Sequence, residues 1–208
     1  MSNYSLQAIN LSKNFGRRLI FKDLNFKIEN KGIIGISGPN GSGKSTLVKI
    51  IAGISSPSGG NIIHQIDGNE IPPEELHNHI GFVSPYLVLY EEFSAWENLN
   101  YFAQIRDVAF NNEKVEHLLT KLKLYDRKDD LVKTYSSGMK QRLKFIFALM
   151  HSPKLIILDE PTSNLDQDGK DSVYEIIKEE SNSGIVIIAS NETSDLELCS
   201  SELKLENF

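Results

Sequence analysis

Gly38-Pro39-Asn40-Gly41-Ser42-Gly43-Lys44-Ser45-Thr46 fits the G-x-x-x-x-G-K-[ST] phosphate-binding pattern at every fixed position and predicts a site for ATP or GTP. A triphosphate has to be wrapped by backbone N–H groups, and only a loop poor in Cβ atoms brings them close enough. Gly38, Gly41 and Gly43 supply that freedom, and Asn40 and Ser42 complete the binding set. Lys44 is expected to reach the β- and γ-phosphates, Ser45 to give its hydroxyl to Mg²⁺, and Thr46 to help with the α-phosphate, at the positive end of the helix that follows.

The flanks meet the demand of that pattern, a buried strand before it and a helix after it. Gly32-Ile33-Ile34-Gly35-Ile36-Ser37 is a short apolar, β-branched run suited to a central parallel strand. Leu47, Ile50, Ile51 and Ile54 then recur at helical spacing, and Gly53 is placed to end the helix. A second stretch, Leu155-Ile156-Ile157-Leu158-Asp159-Glu160-Pro161-Thr162, is an apolar strand that stops abruptly in two acids. Ligands of open α/β sheets gather at the carboxyl ends of strands. Asp159 is therefore expected to hold Mg²⁺ through its water shell, and Glu160 to accept the proton of a water attacking the γ-phosphate.

The 208 residues are 40% hydrophobic and 24% charged, which suits one sizeable core with room for a subdomain. Apolar runs such as Phe145 to Met150 fall far short of the roughly 18 residues of a bilayer crossing. Met1-Ser2-Asn3-Tyr4 lacks the apolar segment of a signal peptide. A net charge of −6 argues against nucleic acid as a partner. The single Cys199 forms no internal disulfide and fits a reducing compartment as a small buried hydrophobe. His64, His77, His79, His117 and His151 lack the companions of a zinc site.

Upstream of the phosphate loop, Leu24, Phe26 and Ile28 alternate with Asn25 and Lys27, predicting antiparallel strands joined at Asn14-Phe15-Gly16. Phe15, at the tip, either stacks on adenine or anchors the turn. Ser58-Gly59-Gly60 turns into Asn61 to Ile66, and Asp67-Gly68-Asn69 turns again. After a short strand at Ile80-Gly81-Phe82-Val83, the segments Ser94 to Asp107, Asn111 to Leu122 and Ser137 to Met150 read as helices. Val115, Leu118, Leu119 and Leu122 form one apolar face, and Met139, Leu143, Ile146, Phe147 and Met150 another, predicting an inserted helical subdomain. Strand–helix alternation resumes at Leu155, with Val173, Ile176 and Ile177 on a helix and a strand at Ile185-Val186-Ile187-Ile188. That alternation predicts an α/β fold with a mostly parallel sheet.

Taken in order, these marks resemble the nucleotide-binding domain of an ABC (ATP-binding cassette) ATPase over essentially the whole chain. Phe15 stands in the place of the adenine-stacking aromatic, Gly38 to Thr46 is similar to the Walker A loop, and Asp159 and Glu160 to the end of the Walker B strand. Tyr135-Ser136-Ser137-Gly138-Met139-Lys140-Gln141-Arg142 resembles the signature, and Ser163-Asn164-Leu165-Asp166 the D-loop. The resemblance implies one domain over residues 1–208, with a P-loop NTPase core of about 1–85 and 154–208, an N-terminal antiparallel β subdomain and a helical subdomain of about 86–153. Ser136-Ser137-Gly138 would put hydroxyls and N–H groups at a helix start, a second anion site, unless Ser136 is merely an N-cap. The resemblance further implies ATP and Mg²⁺ as ligands and a head-to-tail homodimer in which that turn of one chain caps the γ-phosphate on the other. It also implies a separate membrane-embedded transporter subunit, which would hold this chain on the cytoplasmic face of the membrane.

Three departures stand out. Pro85, after Ser84, occupies the place of a glutamine that contacts Mg²⁺ and water in relatives, and Asn191, after Ile187-Ile188-Ala189-Ser190, that of a histidine on the γ-phosphate. The signature has Ser137 for its first glycine and Met139 for its glutamine. Asn191 donates a hydrogen bond without charge, and Pro85 has no polar side-chain group. The expectation is ATP binding with slow hydrolysis. The alternatives are a nucleotide-gated binding module with little turnover and a non-transport ABC ATPase. The last strand, near Glu202 to Leu205, lies almost at the C-terminus and suggests a minimal module.

Overall fold

The computed structural model describes residues 3–206. β1 (Tyr4–Phe15) buries Tyr4, Leu6 and Ala8 at alternate positions, and a register shift after Ala8 brings Leu11 inside. It pairs antiparallel with β2 (Arg18–Ile28) across a tight turn that sets Phe15 opposite Arg18. β3 (Gly32–Ser37) is buried along almost all its length and feeds the phosphate loop and α1 (Lys44–Ile51). β4 (Gly59–Ile66) returns beside β1, and β5 (Asn69–Glu70) extends the sheet to four antiparallel strands, ordered β2-β1-β4-β5. A single-turn α2 (Leu76–His79) leads into β6 (Ile80–Val83).

The helical segment follows: α3 (Ala95–Ile105), α4 (Asn112–Lys121) and α5 (Ser137–Leu149). Their starts are written in the sequence. Ser94 and Glu97 form a capping box on α3, and the side chain of Asn111 accepts from Lys114 N on α4. β7 (Leu155–Asp159), α6 (Gln167–Ser181), β8 (Ile185–Ala189), α7 (Thr193–Leu196) and β9 (Ser201–Lys204) close the described chain. The second sheet has five parallel strands in the order β6-β7-β8-β3-β9, as the βα alternation requires. Its register decides the site: Ala189 pairs with Ile36 on one side and Asp159 on the other, so β3, β7 and β8 end level.

Alternation on the parallel strands divides the core. Ile156, Leu158, Val186 and Ile188 face α5, α6 and the helical segment, whereas Ile157, Ile185 and Ile187 face α1 and the antiparallel sheet. The expectation of one apolar face on α5 is corrected here. Lys144, Phe145 and Ala148 are buried as well, because α5 lies between the other helices and the sheet. Ile54 is also corrected. Gly53 turns the chain at φ 72°, α1 ends at Ile51, and Ile54 is left 62% exposed. Among the described residues no helix is long and apolar enough to cross a membrane.

Candidate functional site

The phosphate loop enters α1 through Gly43, an N-cap at φ 99° with no side-chain cap, so no side chain of the helix start competes for its first N–H groups. Glycine is required on steric grounds. A Cβ on Gly43 would lie 2.5 Å from Ile20 Cγ2, and one on Gly38, at φ 149°, would lie 2.7 Å from Ser42 Oγ. Lys44 is 6% exposed, and its Nζ donates to the carbonyls of Gly38 at 2.8 Å and Pro39 at 3.3 Å. Burial lowers its pKa, against the opposing pull of Glu160 and Asp159.

Ser45 Oγ donates to Asp159 Oδ1 at 2.8 Å, joining the helix start to the end of β7. Asp159 Oδ2 is buried without a hydrogen-bond partner. A desolvated carboxylate oxygen beside a serine hydroxyl is a fitting donor set for Mg²⁺. Burial raises the pKa of Asp159, opposed by the Ser45 hydrogen bond and by Lys49 and Lys44. Glu160 follows at φ 51°, a left-handed conformation that costs a non-glycine residue about 1 kcal/mol. Its N–H is fixed on Ala189 O at 2.9 Å, and its side chain turns into the cleft. Burial raises its pKa, Lys44 opposes, and Asp159 adds to the rise.

That cleft, of about 390 Å³, is lined by Phe15, Asn40, Gly41, Gly43, Lys44, Ser45, Thr46 and Glu160, together with Arg18 and Ile20. Phe15 is 56% exposed, with Lys13 Nζ 4.9 Å over its ring. Asn191 reaches the loop from the end of β8, and its Nδ2 donates to Asn40 Oδ1. Arg18 and Ile20 were missed in the sequence; the signal lay in the hairpin register, which carries them back beside Phe15 and the loop.

The Ser136-Ser137-Gly138 turn lies elsewhere, and none of its residues lines the cleft. Ser136 is the N-cap of α5, its Oγ accepting from Met139 N at 3.2 Å. A Cβ on Gly138 would lie 3.2 Å from Asn164 O, so this turn packs on Ser163-Asn164-Leu165-Asp166 of its own chain. Gln141 Nε2 donates to Pro161 O at 3.2 Å, and Asp166 caps α6 through Gly169 N at 2.9 Å. At Pro85 the missing side-chain polarity has a neighbour the sequence did not suggest. The buried Lys144 ammonium donates to Pro85 O at 2.8 Å and Ser84 O at 3.3 Å, and burial lowers its pKa. A lysine inside the apolar run from Leu143 to Met150 was the available signal.

Comparison with known proteins follows the same lines. A family model described as ABC transporter matches residues 21–163, more than half of the chain. The uncharacterized ABC transporter ATP-binding protein YhcH of Bacillus subtilis is 36% identical over 199 residues, 93% of this chain and 64% of that protein. The chain thus spans a little under two thirds of that relative's length. The lantibiotic transport ATP-binding protein SrtF of Streptococcus pyogenes is 37% identical over 186 residues, 89% of this chain and 79% of that protein. A solved ATP-binding subunit of an ABC transporter superposes with a TM-score of 0.82 at 26% identity, covering 97% of this chain and 87% of that one.

Proposed function

The chain belongs to the ABC transporter family of ATP-binding proteins, and we propose that it binds ATP with Mg²⁺ and hydrolyses it to power a separate membrane-embedded partner. The observation that carries this reading is the convergence of Lys44, Ser45, Asp159 and Glu160 at the carboxyl ends of the central parallel strands. In this reading the loop N–H groups and Lys44 hold the phosphates, and Phe15 offers a face to the base. Ser45 and Asp159 hold Mg²⁺, which neutralises phosphate charge when bound. Glu160 takes the proton of the attacking water, and Asn191 donates toward the γ-phosphate.

In the same reading Ser136, Ser137 and Gly138, which lie outside the cleft, serve a second chain, and two copies close head to tail over ATP. The core of about 1–85 and 154–208 then carries one half of each site and the segment of about 86–153 the other. Ile54, 62% exposed, lines a groove of about 230 Å³ with Ala52, Ile80, Phe82, Leu87 and Phe102, a surface suited to a protein partner. Lys49 of α1 lies 4.6 Å over the exposed Tyr86 ring and lowers the pKa of Asp159 against the effect of burial. A position on the cytoplasmic face of a membrane follows from such a partner. A nucleotide-gated binder with little turnover is the second reading, favoured by Pro85 and Asn191.

Glu160→Gln tests the proposal. It should keep ATP binding, slow single-turnover hydrolysis by roughly 10²- to 10⁴-fold, and accumulate an ATP-bound dimer on size-exclusion chromatography. Hydrolysis at the wild-type rate would overturn the role of Glu160. Wild-type ATPase activity that stays absent with the membrane partner present would favour the gated binder.

A further inference from the structure

Behind the cleft lies a buried carboxylate with no role so far. Asp195, on α7, is 0% exposed. Its Oδ1 accepts from Tyr174 OH at 2.7 Å and Thr162 Oγ1 at 2.9 Å, and its Oδ2 accepts from Ser190 Oγ at 2.7 Å. These donors come from three places in the chain. Thr162 follows Glu160 by two positions, Tyr174 is on α6, and Ser190 stands immediately before Asn191.

Ser190 is the critical member. Its Oγ accepts from Glu192 N at 3.0 Å and lies 3.4 Å from Glu160 Oε2. A hydroxyl has one proton to donate. Two carboxylates are within reach of this one, and the shorter contact assigns the proton to Asp195. We propose that Asp195 is a positioning residue for hydrolysis, holding the Ser190 proton off Glu160 and tying Thr162 and Ser190 together, so that no serine hydrogen bond weakens Glu160 as a base for the attacking water. This inference rests on the hydrolytic reading above.

Asp195→Asn separates this role from that of a simple brace. The asparagine carbonyl can keep the Tyr174 and Thr162 bonds, while its amide, at the Oδ2 position, donates to Ser190 and turns the serine proton toward Glu160. Single-turnover hydrolysis should fall about tenfold, with ATP affinity unchanged. The double variant Asp195→Asn/Ser190→Ala should be no slower than Ser190→Ala alone, since the misdirected proton is gone. Tyr174→Phe removes a different bond to the same carboxylate and should lower the melting temperature while keeping the wild-type rate. Asp195→Asn hydrolysing at the wild-type rate, or Tyr174→Phe losing rate in step with stability, would overturn the inference alone. A wild type without Glu160-dependent hydrolysis would overturn the hydrolytic reading beneath it.

Discussion

The two helix starts that the sequence offered as anion sites, those of α1 and α5, begin in opposite ways. α1 starts through Gly43 at φ 99° with no side-chain cap, whereas α5 starts through Ser136, whose Oγ accepts from Met139 N at 3.2 Å. A glycine start leaves its N–H groups to a ligand; a serine start satisfies one of them itself. The Ser136 oxygen still has its own proton to donate. The start of α1 thus leaves its N–H groups to a ligand, whereas the start of α5 satisfies the Met139 N–H within its own turn. Two histidines are held inside the fold: His64 on β4 pairs with the Tyr4 hydroxyl at 2.6 Å, and His151, just past α5, lies 3.1 Å from Ile80 O on β6.

The sharpest break between the two starts is in affinity. Lys44→Ala should weaken ATP binding by roughly 10²- to 10³-fold, since charge-assisted bonds to phosphate are lost. Ser136→Ala should leave the monomer's ATP affinity unchanged while costing α5 about 1 kcal/mol of capping. Equal losses by calorimetry would erase the contrast. His64 and His151 predict a pH effect of the next size. Burial pushes His64 and His151 from about 6.5 down to about 4. Between those values the unfolded chain binds the extra protons, so stability is whole above about pH 6.5 and drains toward pH 4, by up to about 3 kcal/mol per histidine. Urea midpoints at neutral and acid pH check this, and His64→Gln should lose less on acidification than wild type.

The smallest effect concerns Asn191, whose amide is engaged by Asn40 in the phosphate loop. With Glu160, Lys44, Ser45 and Asp159 in place, Asn191→Ala should slow single-turnover hydrolysis by no more than about tenfold, near 1.4 kcal/mol. A deeper collapse would show that the amide does the work of the family's histidine.

Gly38 to Thr46 and the Asp159-Glu160 pair were readable in the chain because their demands are local: loop glycines where a Cβ would clash, and acids where an apolar strand stops. The βα alternation likewise announced the parallel sheet, and Ser94, Asn111 and Ser136 announced helix starts. Periodicity failed where geometry was set by something other than spacing. Ile54 continued the helical pattern of α1, but the left-handed turn at Gly53 put it outside. On α5, contact with both the sheet and the neighbouring helices buried positions that one apolar stripe would leave wet.

Sequence alone thus determined which residues are able to bind a phosphate, hold a divalent cation or accept a proton, since those abilities belong to side-chain types and short spacings. Only the tertiary structure decided which of them meet. The level ends of β3, β7 and β8 bring Ser45 onto Asp159, 114 positions away, and Asn191 onto Asn40, 151 positions away. The Asp195 carboxylate and the Lys144 ammonium were invisible for the same reason. Their partners, Thr162 33 positions away and Pro85 59 positions away, become neighbours only when sheet register and helix packing bring distant segments together, and desolvation then makes each hydrogen bond there one the fold cannot leave unmade.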